Sequence, residues 1–575
     1  MNLLDYLAAA IPLLGTLIFV HELGHFIVAK MCGVRVLKFS LGFGPPIGFG
    51  RFRMRWVRGG TEYVVAWFPL GGFVKMLGEP MPGAEVDVPQ VLDAAPEEYL
   101  DAKPTWQKLA ITFAGPAMNL LLPVLAFVFV LWVGVSRPTA VVGMVEAKSP
   151  AARAGIQPGD GVVSVGREAV TWWEDVSDAV ATHGPGNVEV QVERSGRRLE
   201  FDVAVEQRGV LDPFGTAIQI GWIGLGNRRL PALLGVPSGD APGARAGLRS
   251  GDRVTQVGDT SVEDWVGLRA AYSEASEESA ASLREQGGRG SVLFELSRRA
   301  GPDDEPREIA VAVPALGSLD ALGVVSATIL VAQVSPGLPA ARAGLKSGDL
   351  LLAVDGRPVG SFESFANLVR SSGGRPLVVT YARGGASATL TLEPELQSVS
   401  GPLDIEGMSE EIYQIGISHA LAALPGAIAL DRERNPLRSI PRAVDMTVEI
   451  TSVFLRGLGK LLSGEVGTDK LAGPIGIAEI ARKSLDLGWE AYLSTMILIS
   501  INLGILNLLP IPILDGGQAL IYIVEGVKRS PISVRSREIV QQTGLILLVC
   551  LMALAFWNDL ARHWNQFVEW ISTGL

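Results

Sequence analysis

The segment from Leu7 to Ala29, LAAAIPLLGTLIFVHELGHFIVA, is apolar and long enough to cross a bilayer. Its only ionisable residues are His21, Glu22 and His25. A charge at the centre of a bilayer costs about 2.5–3.5 kcal/mol on insertion scales, so polar groups retained there are usually functional. On a helix, residues four apart share one face, which aims both imidazoles of His21-Glu22-Leu23-Gly24-His25 at a single ion. Glu22 lies next to that face, placed to act on a water at the metal. HExxH also arises by chance in soluble helices. Inside a membrane span chance is a poor explanation, and the motif reads as a metal site.

The rest of the 575-residue chain suits a membrane protein with a substantial soluble portion, being 48% hydrophobic and 19% charged. A net charge of -11 argues against nucleic acid as a partner. Cys32 and Cys550 are the only cysteines, which leaves no disulfide framework and no CxxC zinc site. Asp5 precedes the first apolar run and no basic residue comes before Lys30, the reverse of a signal peptide, so this segment is expected to remain as a span.

Further spans are expected at Leu109–Val135, at Tyr492–Ile511 and at Thr543–Trp557 with its flanks, where Trp557 and Trp564 suit an aromatic belt. Between Lys30 and Lys75 eight basic residues face one acid, Glu62, and Lys528, Arg529, Arg535 and Arg537 join the last two spans. Both loops therefore read as cytoplasmic, with the region from about Arg137 to Glu490 on the other side. In the first loop, Thr61–Met76 is β-branched and aromatic around Pro69-Leu70-Gly71-Gly72, a strand–turn–strand signal. Such a hairpin is either an edge offered to an extended peptide or an ordinary solvent-facing element.

The soluble region repeats. ARAG recurs at Ala152–Gly155, Ala244–Gly247 and Ala341–Gly344, each five residues before an aspartate (Asp160, Asp252, Asp349) and a strand-like run. Spacings of 92 and 97 residues are domain-sized. These units resemble PDZ domains, which extend their sheet with a peptide strand. Peptide binding and a role as spacers or a steric gate stand equally open. Val444–Leu462 has helical periodicity and reads either as an amphipathic helix on the outer membrane surface or as a buried helix of the soluble region.

The expected layout is a first span at 1–34, a cytoplasmic loop with its hairpin at 35–106 and a second span at 107–136. PDZ-like units follow at 137–222, 223–315 and 316–420, then a linker at 421–490. The third span is placed at 491–526, a cytoplasmic loop at 527–540 and the fourth span with the C-terminus at 541–575. The fold class is thus a four-span α-helical membrane protein with a cytoplasmic β-hairpin and three extracytoplasmic PDZ-like α+β domains.

A catalytic zinc site takes three protein ligands and keeps one position open, so two imidazoles need a third partner. Ile501–Ala519, INLGILNLLPIPILDGGQA, has Asp515 as its only acid. Pro510 and Pro512 break helical bonding there, and broken backbone at membrane depth is tolerated only when buried in protein or lining a wet cavity. Alone, Asp515 could be an interfacial residue or a helix cap; beside an unpaired HExxH it is the best available third ligand.

HExxH in the first span, Phe113-Ala-Gly-Pro-Ala-Met-Asn119 in the second and Asn507-Leu-Leu-Pro-Ile-Pro-Ile-Leu-Asp515-Gly in the third resemble the site-2 protease family. The inserted PDZ-like units, the GGFVKMLGE segment (Gly71–Glu79) and Gly473-Pro474-Ile475 are similar to its bacterial RseP-type branch of intramembrane zinc metalloproteases. The resemblance implies His21, His25 and Asp515 as zinc ligands, Glu22 as general base and Asn507 as a residue hydrogen-bonding the substrate backbone. It implies a strand pair around Val64–Val74 that presents the substrate in extended form. It further implies a bacterial inner-membrane location with periplasmic PDZ domains. The implied substrate is a single-span membrane protein, either an anti-sigma factor already trimmed on its outer side or a remnant signal peptide. Two departures are the third PDZ-like unit, where that branch commonly has one or two, and Gln518 where some relatives have histidine. A catalytically silent PDZ scaffold is the alternative, and it has no need of these five residues together. A zinc transporter lacks support, with no His-rich loop and no second acidic span site.

Overall fold

The computed structural model describes residues 3–49, 52–78, 94–146, 148–211, 217–283, 290–299, 305–400, 409–419, 424–465, 467, 472–530 and 532–562. Glu79 of the GGFVKMLGE segment, Trp564 of the expected belt and the rest of the C-terminus lie outside the described residues. The chain divides into two units, one of Met1–Val135, Ser400–Ser409 and Arg432–Leu575, the other of Ser136–Val399 and Glu410–Asp431.

Among the described residues the first unit holds four helices long and apolar enough to cross a membrane, at Asp5–Met31, Thr105–Val133, Trp489–Leu508 and Arg535–Ala561. They belong to α1 (Leu3–Met31), α2 (Thr105–Val133), α5 (Trp489–Leu508) and α7 (Val534–Arg562). Between them lie α3 (Pro436–Ser463), α4 (Pro474–Asp486) and α6 (Asp515–Lys528). On α7 the exposed side chains include Leu545, Ile546, Leu547, Val549, Leu551 and Met552, a surface suited to hydrocarbon rather than water. Two prolines interrupt α2, and each removes one backbone donor. Pro123 thereby frees the Asn119 carbonyl, which accepts a 2.7 Å hydrogen bond from the Ser500 hydroxyl of α5. The lost intrahelical bond becomes an interhelical tie.

Val444–Leu462 falls within α3, which packs Ala443, Met446, Ile450 and Phe454 against Phe127 of α2 and Ile497 and Ile501 of α5. Its other side exposes Val444, Val448 and Leu455. Gly473-Pro474-Ile475 opens α4, where the buried Asp559 carboxylate of α7 accepts the N–H groups of Gly473, Ile475 and Gly476 at 2.9–3.2 Å. A side chain at Gly473 would meet that carboxylate at 2.4 Å, so only glycine fits.

Thr61–Met76 corrects an expectation: it is not a hairpin paired on itself. β1 (Val36–Pro46) lies between its two halves, with Phe39 opposite both Tyr63 and Val74 of β3 (Thr61–Met76). β2 (Arg55–Arg58) pairs the first half of β3 on its far side. The turn must therefore cross β1, and it does so over the Phe43 ring. A Cβ on Gly71, whose φ is +134°, would lie 2.1 Å from that ring. The segment Gly71–Met76 is left as the outer edge of the sheet.

The second unit contains three sheets of one plan. Their strands run in the orders Ala217–Trp222, Arg197–Leu211, Gly186–Arg194, Gly161–Val165, Glu168–Ala169; Thr260–Ser261, Arg253–Val257, Ser291–Arg298, Arg307–Pro314; and Arg357–Pro358, Leu350–Val354, Leu377–Arg383, Ala386–Leu392. Each has its own core, centred on Val190, Phe294 and Val379. Short ladders close each unit, pairing 144–145 with 225–226, 234–235 with 325–326 and 331–334 with 417–419. The expected boundaries at 222 and 315 cut off the first two closing strands, because these two-residue ladders are too short to leave a periodicity.

The aspartate after each ARAG is the keystone of its unit. Asp160, Asp252 and Asp349 are buried, and each accepts a backbone N–H three residues upstream at 2.8 Å. Arg194, Arg298 and Arg383 grip them with two hydrogen bonds each and also bond the carbonyl of the ARAG glycine. Cutting Arg298 to alanine leaves a buried carboxylate unpaired, and Arg298→Ala is expected to destabilise its unit by about 3–5 kcal/mol. Arg383→Ala costs less, since that side chain is 39% exposed against 18% for Arg298. Thermal melts of the intact protein in detergent check this; equal melting of Arg298→Ala and the unaltered chain would contradict it.

Candidate metal centre

The helical repeat of α1 puts His21 and His25 on one face, their rings 4.9 Å apart and steeply inclined. Both are buried. The third member arrives from across the unit. After α5 ends at Leu508, the run Leu-Pro-Ile-Pro-Ile-Leu makes a non-helical turn, and Asp515 is the first residue of α6. The turn is tight enough that a Cβ on Gly516 or Gly517 would meet the carbonyls of Leu508 or Ile511 at 2.2–2.3 Å. The two glycines therefore let α6 start close against its own approach and carry Asp515 inward.

His21 Nε2, His25 Nε2 and the Asp515 carboxylate converge, all within 4.8 Å of one another. The separations are 3.2 Å between the two nitrogens, 3.1 Å from His21 to Asp515 and 3.5 Å from His25 to Asp515. A tetrahedral zinc with bonds of about 2.0–2.1 Å sets its ligand atoms about 3.3 Å apart. The donor set and its spacing thus fit zinc. One tautomer is fixed as well. His25 Nδ1 lies 2.8 Å from the Ile111 carbonyl, which can only accept, so the proton sits on Nδ1 and the Nε2 lone pair faces the site.

α2 forms the other wall, which gives Phe113–Asn119 its physical content. A Cβ on Gly24 would lie 2.3 Å from the Ala114 carbonyl, and one on Gly115 would lie 2.3 Å from His25 Nε2 and 2.8 Å from His21 Cε1. These two glycines let the helices close and leave room for both imidazoles. Asn119, fully buried, places its amide nitrogen 3.2 Å from His21 Nδ1. In the sequence Asn119 stands only as the last residue of the Phe113–Asn119 motif; its position one helical turn past Gly115 is the signal that places it beside the imidazoles.

Glu22 lies beside the three convergent residues without joining them and packs against the sheet. Its Cγ would be 3.1 Å from a Cβ on Gly72, and the Val74 N–H hydrogen-bonds its carboxylate. Asn507 sits half-buried in the last turn of α5, just before the break. No hydrogen bond joins it to the three convergent residues among those described. Gln518, the departure noted above, lies in the first turn of α6 and adds no ligand atom to the group.

The family model described as Peptidase family M50 matches residues 9–551. The regulator of sigma-E protease RseP of Escherichia coli is 33% identical over 97% of this chain and 98% of its own length. Protease RseP of Yersinia pestis is 32% identical over 98% of this chain and 100% of its own length. A candidate zinc metalloprotease of Neisseria meningitidis is 30% identical over 95% and 96%. The PDZ domain of an SdrC-like protein from Listeria monocytogenes matches 17% of this chain and 90% of its own length at 21% identity and a TM-score of 0.14, a likeness too slight to argue from. With the match running through all four apolar helices, the chain belongs to peptidase family M50, the site-2 proteases, and is a zinc-dependent intramembrane protease.

Proposed function

We propose that His21, His25 and Asp515 hold the zinc, that Glu22 is the general base and that Asn507 hydrogen-bonds the substrate backbone. The observation that carries this reading is the convergence of two imidazole nitrogens and one carboxylate at tetrahedral spacing, with Glu22 beside them at the outer strand edge. When bound, zinc supplies a Lewis acid that polarises the scissile carbonyl and lowers the pKa of a bound water to about 7. Glu22 takes the water's proton and returns it to the leaving amine.

A peptide bond inside a helix is shielded, so the substrate has to be drawn out before it is cut. The outer edge Gly71–Met76 suits that task. The Leu77 N–H turns inward to the Arg35 carbonyl, so by strand alternation Gly72, Val74 and Met76 direct theirs outward, toward α1. An extended substrate segment added to this edge runs past Glu22. The basic loops support a topology with the sheet on the cytoplasmic side and the soluble unit outside, and the three units of one plan read as three PDZ-like domains. The relatives named for sigma-E regulation support a substrate of the anti-sigma kind. The bulk of three outer domains acts in this reading as a size filter.

The ligand assignment is tested by zinc content. Asp515→Ala, purified in detergent beside the unaltered chain, is expected to bind zinc about 100-fold more weakly, as two ligands make a poor site. Retention of zinc at the same affinity would overturn the assignment of Asp515.

A further inference from the structure

Asn119 is a buried polar side chain with an odd hydrogen-bond account. Its amide nitrogen faces His21 Nδ1 at 3.2 Å, while its Oδ1 has no hydrogen-bond partner among the described residues, although the residue is fully buried. A buried polar atom left unpaired costs about 1–3 kcal/mol whichever end of the amide it is, so hydrogen-bond count alone does not choose the orientation. The amide can present either end to the ring, and the two ends demand opposite tautomers. If the nitrogen donates, Nδ1 is bare and the proton sits on Nε2, the atom that converges on Asp515 and His25. If the oxygen accepts, the proton sits on Nδ1 and Nε2 is free to ligate.

Resting on the ligand reading above, we infer that Asn119 is a positioning residue for the metal. Its Oδ1 accepts the His21 Nδ1–H, holding the imidazole in the tautomer and the plane that ligation through Nε2 requires. The same turn of the amide pairs the oxygen and leaves the NH2 as the end with no partner among the described residues, so it is the tautomer ligation needs, not the hydrogen-bond count, that selects this orientation. His25 is treated in parallel by the Ile111 carbonyl, so both imidazoles are oriented from α2, one by backbone and one by side chain. Asn119 is itself held in place. Pro123 frees its carbonyl and Ser500 takes that carbonyl at 2.7 Å, which fixes the asparagine between α2 and α5. Partners of metal-bound imidazoles raise ligand basicity and typically carry 10–100-fold in metal affinity.

The test is zinc affinity of the intact protein in detergent, read by competition with a chromophoric chelator, and the visible spectrum of the Co2+-loaded form. Asn119→Leu removes the acceptor; Asn119→Asp keeps an acceptor of nearly the same shape and cannot donate while ionised. Asn119→Leu is expected to bind zinc about 10–100-fold more weakly, and Asn119→Asp to stay within about threefold of the unaltered chain or tighter. The tetrahedral Co2+ bands should persist in Asn119→Asp and shift or vanish in Asn119→Leu. Melting of the zinc-free forms separates a folding defect from a metal defect, and if Asn119→Leu does not fold, Asn119→Asp alone decides. Zinc affinity unchanged in Asn119→Leu, or lost in Asn119→Asp, would overturn the inference while leaving the ligands standing. An unaltered chain that binds no zinc would overturn the ligand assignment and this inference with it.

Discussion

Glu22→Gln should leave zinc bound at full occupancy and slow cleavage of a single-span reporter by about 10²–10⁴-fold, the range carried by one general acid–base group. The split between binding and turnover is the informative part. Glu22 is not among the three convergent residues, so in the proposed assignment its loss removes no ligand. Glutamine keeps the size of the side chain and can still accept the Val74 N–H, so the approach of the sheet edge to α1 is preserved. What glutamine cannot do is take a proton from the attacking water and hand it to the leaving amine. Zinc content and cleavage rate measured on one preparation decide the matter; zinc lost together with activity would make Glu22 a structural or ligating residue instead.

Gly115→Ala should abolish zinc binding and cleavage together. The added methyl would sit 2.3 Å from His25 Nε2 and 2.7 Å from its Cε1, inside the space the metal and its imidazoles need. His25 has no easy retreat, because its Nδ1 is bonded to the Ile111 carbonyl on the same helix that carries Gly115. Relief requires α1 and α2 to part, which opens the contact at Gly24 and Ala114. Overpacking of this kind costs about 1–3 kcal/mol, too little to unfold the unit and enough to spoil a site that depends on tenths of an ångström. Gly15→Ala is the matched control, since nothing lies within 4 Å of its added methyl. Normal zinc content in Gly115→Ala would contradict the packing account.

The three convergent residues were legible in the sequence because their chemistry stands out against its surroundings. Three ionisable residues in an apolar run and one acid behind a proline break are conspicuous at sight. The four apolar helices were legible for the same reason, and the three repeats because ARAG and its aspartate are kept word for word. What was hidden depended on partners far away in the chain. Asn119 acquires a role only when α2 lies against α1, and Ser500 only because Pro123 leaves a carbonyl free. Arg194, Arg298 and Arg383 are ordinary strand arginines until the fold sets each against its aspartate. The sheet was misjudged because Val36–Leu41 slips between two segments that look like one hairpin, and local turn chemistry does not report an inserted strand.

In the proposed mechanism the cut is made inside the bilayer by the metal centre of α1 and α6, beside the sheet edge at Gly71–Met76. The most direct test is to incubate the purified, zinc-loaded protein with a single-span reporter lacking an outer domain and to map both product termini by mass spectrometry. One principal cut is expected within the reporter's apolar segment, toward its cytoplasmic end. A cut in the soluble flanks of the reporter would contradict it.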